Sequence, residues 1–171
     1  MKRQVSLILT LTFTLFAAAA AAAKSPGACE LLSREDVKAA QGQAFDEAKL
    51  TMSRAAGTIT TQCFYRLPAF VDSISLAVIH PASPSTTADE LWKTLAGPRT
   101  NKMTGKGRRP AQEISGLGDE AFWAGNRNAG ALYVLQGHNI LRISVGGGDT
   151  EEKKIEKTRQ LAAAALVRLS P

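Results

Sequence analysis

The chain has 171 residues, with 21 lysines and arginines against 15 aspartates and glutamates, for a formal charge of +6. That is enough chain for one domain with a sizeable core, and the small positive excess excludes an argument for nucleic-acid binding on charge alone. Two cysteines and two histidines, with no CxxC pair, exclude a thiol redox motif, a c-type haem site and a multi-ligand zinc cluster.

The first 23 residues read as an address. Lys2 and Arg3 supply a positive start, "VSLILTLTFTLF" an apolar run, and Ala21-x-Ala23 a small-residue cleavage site before Lys24. Cleavage there leaves residues 24–171, which is 171 less 23, or 148 residues, and lowers the charge to +4 as Lys2 and Arg3 depart. Cys29 follows in "SPGAC", where Pro26 stands in the place a lipobox gives to leucine and Lys24-Ser25 separates the cysteine from the apolar run. The expected product is one soluble exported α+β domain, periplasmic or secreted, with no stable membrane anchor. In that oxidising setting Cys29 and Cys63 are expected to form a disulfide.

The elements follow in order. "LLSREDVKAAQG" predicts a helix with Ser33 as N-cap, Asp36 three residues on, Leu32 and Val37 as a hydrophobic staple and Gly42 as the stop. "AKLTMSRA" shows partial strand alternation. "TTQCFYRLP" alternates Cys63, Tyr65 and Leu67 against Phe64 and Arg66, and "DSISLAVIHP" alternates Ile74, Leu76 and Val78 against Ser73, Ser75 and Ala77. A second helix is predicted over "STTADELWKTLAGP", capped by Thr87 with Glu90, stopped by Gly97-Pro98 and carrying Leu91 and Leu95 one turn apart with Trp92 beside them. Strands return in "AFWAG", "ALYVLQG" and "NILRISVGG", the last two joined as a hairpin around Gly137-His138. A final helix is expected from Asp149-Thr150 onward, with Glu151 and Glu152 in its first turn and Ile155, Ala162, Leu166 and Leu169 on its apolar face. Helix, strands, helix, strands, helix with short hairpin links predicts a mainly antiparallel sheet covered by helices, the α+β class.

Few residues carry the pattern of chemistry. Asp119 and Glu120 are adjacent, so in a strand they point to opposite faces and do not converge on one atom. The expectation is structural: Gly116 and Gly118 permit a turn, Asp119 ties it through nearby backbone amides, and Phe122 and Trp123 enter the sheet on its two sides. His80 and His138 lack a metal-ligand spacing, and no serine lies in a G-x-S-x-G elbow or an S-x-x-K pair. "GGGDT" places glycines before a helix but lacks the lysine and spacing of a phosphate loop. No catalytic residue, metal or cofactor is assigned. Residues 99–110, "RTNKMTGKGRRP", hold Arg99, Lys102, Lys106, Arg108 and Arg109 with no acid, a segment suited to anionic ligands.

"CELLSREDVKAAQG", "QCFYRL" and "ISGLGDEAFW" together resemble a broad group of small, uncharacterised exported bacterial proteins. These begin with a cysteine before an LLT-type helix, carry a second cysteine beside an aromatic in an early strand, and show GLGDxA later. The resemblance spans most of residues 24–171. Many members are lipoproteins, from which this chain departs, and related exported families are similar to PsbP-like domains, an antiparallel sheet flanked by helices. The resemblance implies carriage of an envelope lipid or binding of a partner protein, and it brings no catalytic residues. The expected function is therefore an exported binding or accessory protein for an envelope lipid, an anionic polymer or a periplasmic protein. The alternatives are a small hydrolase whose site assembles only in three dimensions, and an inhibitor or chaperone-like partner protein.

Overall fold

The computed structural model describes residues 27–96, 111–126 and 128–169. The proposed signal segment and the basic residues Arg99, Lys102, Lys106, Arg108 and Arg109 lie outside them. The described residues form one seven-stranded antiparallel sheet with three α-helices, an α+β fold. The strands are β1 (Glu47–Ala55), β2 (Thr58–Arg66), β3 (Ile74–Pro81), β4 (Gln112–Glu113), β5 (Glu120–Gly125), β6 (Gly130–Gln136) and β7 (Asn139–Val145). The helices are α1 (Arg34–Gln41), α2 (Ala88–Ala96) and α3 (Glu151–Leu169), with short 3₁₀ turns at Ala28–Glu30 and Phe70–Asp72.

The strand order is β1-β2-β3-β7-β6-β5-β4. Two hairpin meanders thus meet where β3 pairs with β7, and α2 lies in the connection from β3 to β4. Register decides the faces, because residues directly opposite across antiparallel strands share a face. Cys63, Leu76 and Ile143 line up in one row, and Val78, Leu141 and Val134 in the next. This face meets α1, α3 and the first 3₁₀ turn, and most of its apolar residues are buried, Leu50 and Met52 of β1 excepted. The opposite face buries a smaller cluster, Phe122, Leu135 and Ile140, beneath Ala88 and Trp92 of α2.

Local signals explain much of this. Ser33 accepts from the Asp36 amide at 3.2 Å while the Asp36 carboxylate accepts from the Ser33 amide at 2.8 Å, and Gly42 ends α1 in the left-handed conformation. Cys29 and Cys63 form a disulfide with Cα atoms 5.0 Å apart, closing a 34-residue separation. In the chain-entropy account that link contributes roughly 3–4 kcal/mol. Beside it the buried Tyr65 hydroxyl donates to the Ala28 carbonyl at 2.9 Å, so the N-terminal turn is tied to the sheet twice. Burial also pushes the Tyr65 phenol well above its ordinary pKa.

Two helical faces differ from the sequence expectation. In α2 the buried residues are Ala88 and Trp92, whereas Leu91 is half-buried and Leu95 exposed, because Trp92 turns the helix so that its indole lies on Phe122. In α3 the buried stripe runs through Lys154, Thr158, Leu161, Ala162, Ala165, Leu166 and Leu169, with Ile155 only partly covered. Lys154 is 2% exposed. Its four-carbon stem is apolar enough to fill a core-facing position, while Thr158 satisfies its hydroxyl against the Lys154 and Ile155 carbonyls. No helix among the described residues is long and apolar enough to cross a membrane.

Helices α1 and α3 are clasped at their polar ends. Arg168 pairs with Asp36 at 2.8 Å and donates to the Leu31 carbonyl at 3.0 Å. Burial opposes ionisation of Asp36, but its interactions with Ser33 and the Arg168 guanidinium outweigh it and hold the carboxyl below its usual value. A folded pKa below the unfolded 3.8 means this stabilisation is complete above that pH and is lost as pH falls through the folded value. The urea midpoint is therefore expected to drop below about pH 4. Asp36→Asn should be less stable at neutral pH and show a shallower acid decline; parallel pH profiles for the two proteins would contradict this.

Candidate functional site

Residues 114–119, which connect β4 to β5, shape the site. Ile114 continues the β4–β5 ladder by donating its amide to the Ala121 carbonyl at 3.0 Å, and Ile114 and Leu117 bury their side chains in the α3-side core. Gly116 and Gly118 take positive φ angles of 78° and 55°. Gly118 also lies against β6, where a methyl group would collide with the Leu135 carbonyl and the Val134 side chain. Only glycine satisfies both conditions there.

Asp119 and Glu120 then serve different partners. The Asp119 amide donates to the Leu135 carbonyl at 2.8 Å, and its carboxylate accepts from the Gly137 amide at 2.7 Å. Asp119 thus ties the start of β5 to the β6–β7 hairpin, a longer reach than the local turn bond expected from sequence. Glu120 accepts the Trp92 indole N–H at 2.6 Å across the second face of the sheet. Phe122, next but one along that face, stacks on Tyr133 with ring centroids 4.7 Å apart and planes within 4°, and meets Trp92 at 5.1 Å. Trp123 points the other way, into the α3-side core, and donates its indole N–H to Glu151 at 3.0 Å.

Between α2 and this turn lies an open cleft of about 990 Å³. The edges of Trp92 and Phe122, rings otherwise buried, lie at its floor, and Asp89, Glu113, Asp119 and Glu120 ring it with carboxylates alongside Lys93. Ala111 and Lys93 also line it, so the chain on both sides of the 97–110 segment borders the cleft. Asp89, Trp92 and Lys93 lie far from the GLGDE stretch in sequence. Only the fold makes them neighbours.

A second cleft of about 810 Å³ lies across Asp119, at the start of α2. It is lined by His80, His138, Asp119 and Ser83, which the sequence leaves scattered. Ser83 Oγ is 2.8 Å from Ser85 Oγ, and Thr87 forms the expected reciprocal cap with Glu90. Among the described residues no group of three or more His, Cys, Asp or Glu side chains is arranged to hold a metal ion.

The "GGGDT" loop is occupied by its own acids. The Asp72 carboxylate packs against Gly147, and Asp149 pairs with Lys157 at 2.6 Å while Lys157 also donates to Gln41 at 2.7 Å. The Lys157 contact holds the Asp149 carboxyl below its ordinary pKa. A phosphate would meet two carboxylates there, so the loop is joinery between α1, the second 3₁₀ turn and α3.

Comparison of the chain with family models, with curated proteins and with solved structures finds no match.

The roles of Gly118 and Asp119 are separable by stability. Asp119→Ala removes the solvent-exposed bond from the Gly137 amide and is expected to cost about 0.5–1.5 kcal/mol in urea unfolding. Gly118→Ala adds both backbone strain and a collision and should cost more, roughly 2–4 kcal/mol. An Asp119→Ala protein as stable as the wild type would refute the structural role.

Proposed function

We propose that the protein is an exported, non-enzymatic binding or accessory domain of the small exported bacterial type that its motifs resemble. The observation that carries this reading is the open, aromatic-floored cleft between α2 and residues 114–119, bordered by the chain on both sides of the basic segment. The ligand class it fits is amphiphilic. An apolar portion enters the cleft over Ala111 and the edges that Trp92 and Phe122, otherwise buried at 3% and 4% exposure, leave at its floor. The carboxylates around the floor exclude an anionic headgroup from the cleft itself, and Arg99, Lys102, Lys106, Arg108 and Arg109 are the cations of the chain suited to receive it. An envelope lipid meets both requirements. The Cys29–Cys63 disulfide and the signal-like start support an oxidising compartment, the periplasm or the medium.

One observation favours a second reading, a small hydrolase: His80, His138, Asp119 and Ser83 share a cleft. Against it, the Asp119 carboxylate already accepts from Gly137 and the Ser83 hydroxyl pairs with Ser85. A protein-binding inhibitor or chaperone-like role uses the same surfaces with a different occupant.

Native mass spectrometry of protein purified from the periplasm separates these readings. The expected result is a co-purified lipid, with binding to anionic-lipid vesicles weakened in a Lys106→Glu, Arg108→Glu, Arg109→Glu variant. Unchanged vesicle binding would remove the role of the basic segment. Ester or peptide hydrolysis lost in both His80→Ala and His138→Ala would overturn the proposal in favour of the hydrolase.

A further inference from the structure

Among the described residues strand β1 is an open edge of the sheet, and all nine of its residues are exposed. It pairs with β2 from Glu47 to Ala55 without a break and contains no proline, whereas the opposite edge strand, β4, is two residues long. Long regular edges invite pairing with another strand, and proteins blunt them with charge, proline or bulges. The direction of the free groups on β1 follows from its hairpin. Ala56 and Gly57 take φ of 48° and 76°, the two-residue turn whose closing pair, Ala55 and Thr58, exchanges both hydrogen bonds. Alternation along the strand then turns the odd-numbered backbone groups toward β2 and those of Ala48, Leu50, Met52 and Arg54 away from the sheet. Leu50 and Met52 are 53% and 71% exposed, on the face that carries Cys63.

We propose that β1 is a self-association surface, on which two copies pair antiparallel about a two-fold axis through Thr51. In this register the strand is complementary to itself over all nine residues. The outward backbone groups meet in the pairs Ala48 with Arg54 and Leu50 with Met52 of the second copy, together with their symmetry mates. Leu50 and Met52 from both copies gather into one apolar cluster. No like charges oppose: Lys49 faces Ser53, Arg54 faces Ala48 and Glu47 faces Ala55. The lone charges that guard an edge against foreign strands are thereby tolerated by this strand's own copy. Shifting the register toward the N-terminus brings in Asp46, whose amide already bonds the Arg66 carbonyl opposite Glu47, a bulge that ends regular pairing. Moving the axis one residue the other way sets Leu50 against Arg54 and leaves Glu47 and Ala48 unpaired. Nine residues span only about 30 Å, and a single strand ladder buries well under the roughly 1,600 Å² of a standard interface. The pair is accordingly weak and reversible.

Cysteine substitution tests both the contact and its register. Thr51 faces its own symmetry mate as a non-hydrogen-bonded pair, with Cα atoms about 4.5 Å apart, within disulfide range. Ser53 faces Lys49 instead, which leaves the two Ser53 positions about 14 Å apart along the strands. Mild oxidation is expected to link Thr51→Cys into a covalent dimer and to leave Ser53→Cys monomeric. The wild-type sedimentation coefficient should rise with concentration, and Met52→Arg should abolish the rise. A wild type that stays monomeric at the highest attainable concentration overturns the proposal. So does equal linking at both cysteines, and so does a wild-type dimer that neither cysteine captures or that Met52→Arg leaves intact.

Discussion

Two indole–carboxylate hydrogen bonds hold helices to opposite sides of one strand. Glu120 at the start of β5 accepts from Trp92 of α2, and Trp123 within β5 donates to Glu151 at the start of α3. Both tryptophans are almost wholly buried, at 3% and 1% exposure, so each indole N–H needs an acceptor in place of water. Leaving such a donor unsatisfied costs about 1–3 kcal/mol. That penalty, added to the apolar burial of two large rings, fixes where α2 and α3 sit relative to β5. The cleft beside α2 exists because α2 is held there.

The sheet's faces then take different duties. The α3 side is closed except along β1: α1 and α3 cover it, the Arg168–Asp36 pair clasps them, and the disulfide and the Tyr65 hydroxyl tie the N-terminal turn beneath. The α2 side is covered over Phe122, Leu135 and Ile140, while Tyr133 and Arg142 remain partly open, with the Arg142 side chain donating to the Tyr133 hydroxyl at 3.1 Å. One face supplies stability and the other supplies surface.

Interactions that close within a few residues were legible in the sequence. The Ser33–Asp36 capping box, the Thr87–Glu90 cap, the Gly42 stop and the alternation of β2, β3 and β7 each depend on spacing alone. The disulfide followed from cysteine count and compartment. What escaped depends on distant partners. Glu120 meets Trp92 across 28 positions, Asp119 meets Gly137 across 18, and neither separation has a sequence signature. The helical faces of α2 and α3 shifted for a related reason. A bulky indole outcompeted two leucines for the sheet, and a lysine stem and a self-satisfied threonine filled positions that polarity would place outside. The two-residue β4 is too short to show alternation at all.

The chain contains two tryptophans, so its indole N–H groups give two resolvable signals in a proton–nitrogen correlation spectrum. Hydrogen exchange at those two signals, compared between the wild type and Glu120→Ala, which removes the acceptor, tests whether Glu120 holds α2 in place. Slow exchange of both indoles is expected in the wild type. In Glu120→Ala, exchange of Trp92 and of the α2 amides should accelerate while Trp123 stays protected through Glu151. Unchanged protection of Trp92 in Glu120→Ala, or loss of both indoles together, would contradict the account.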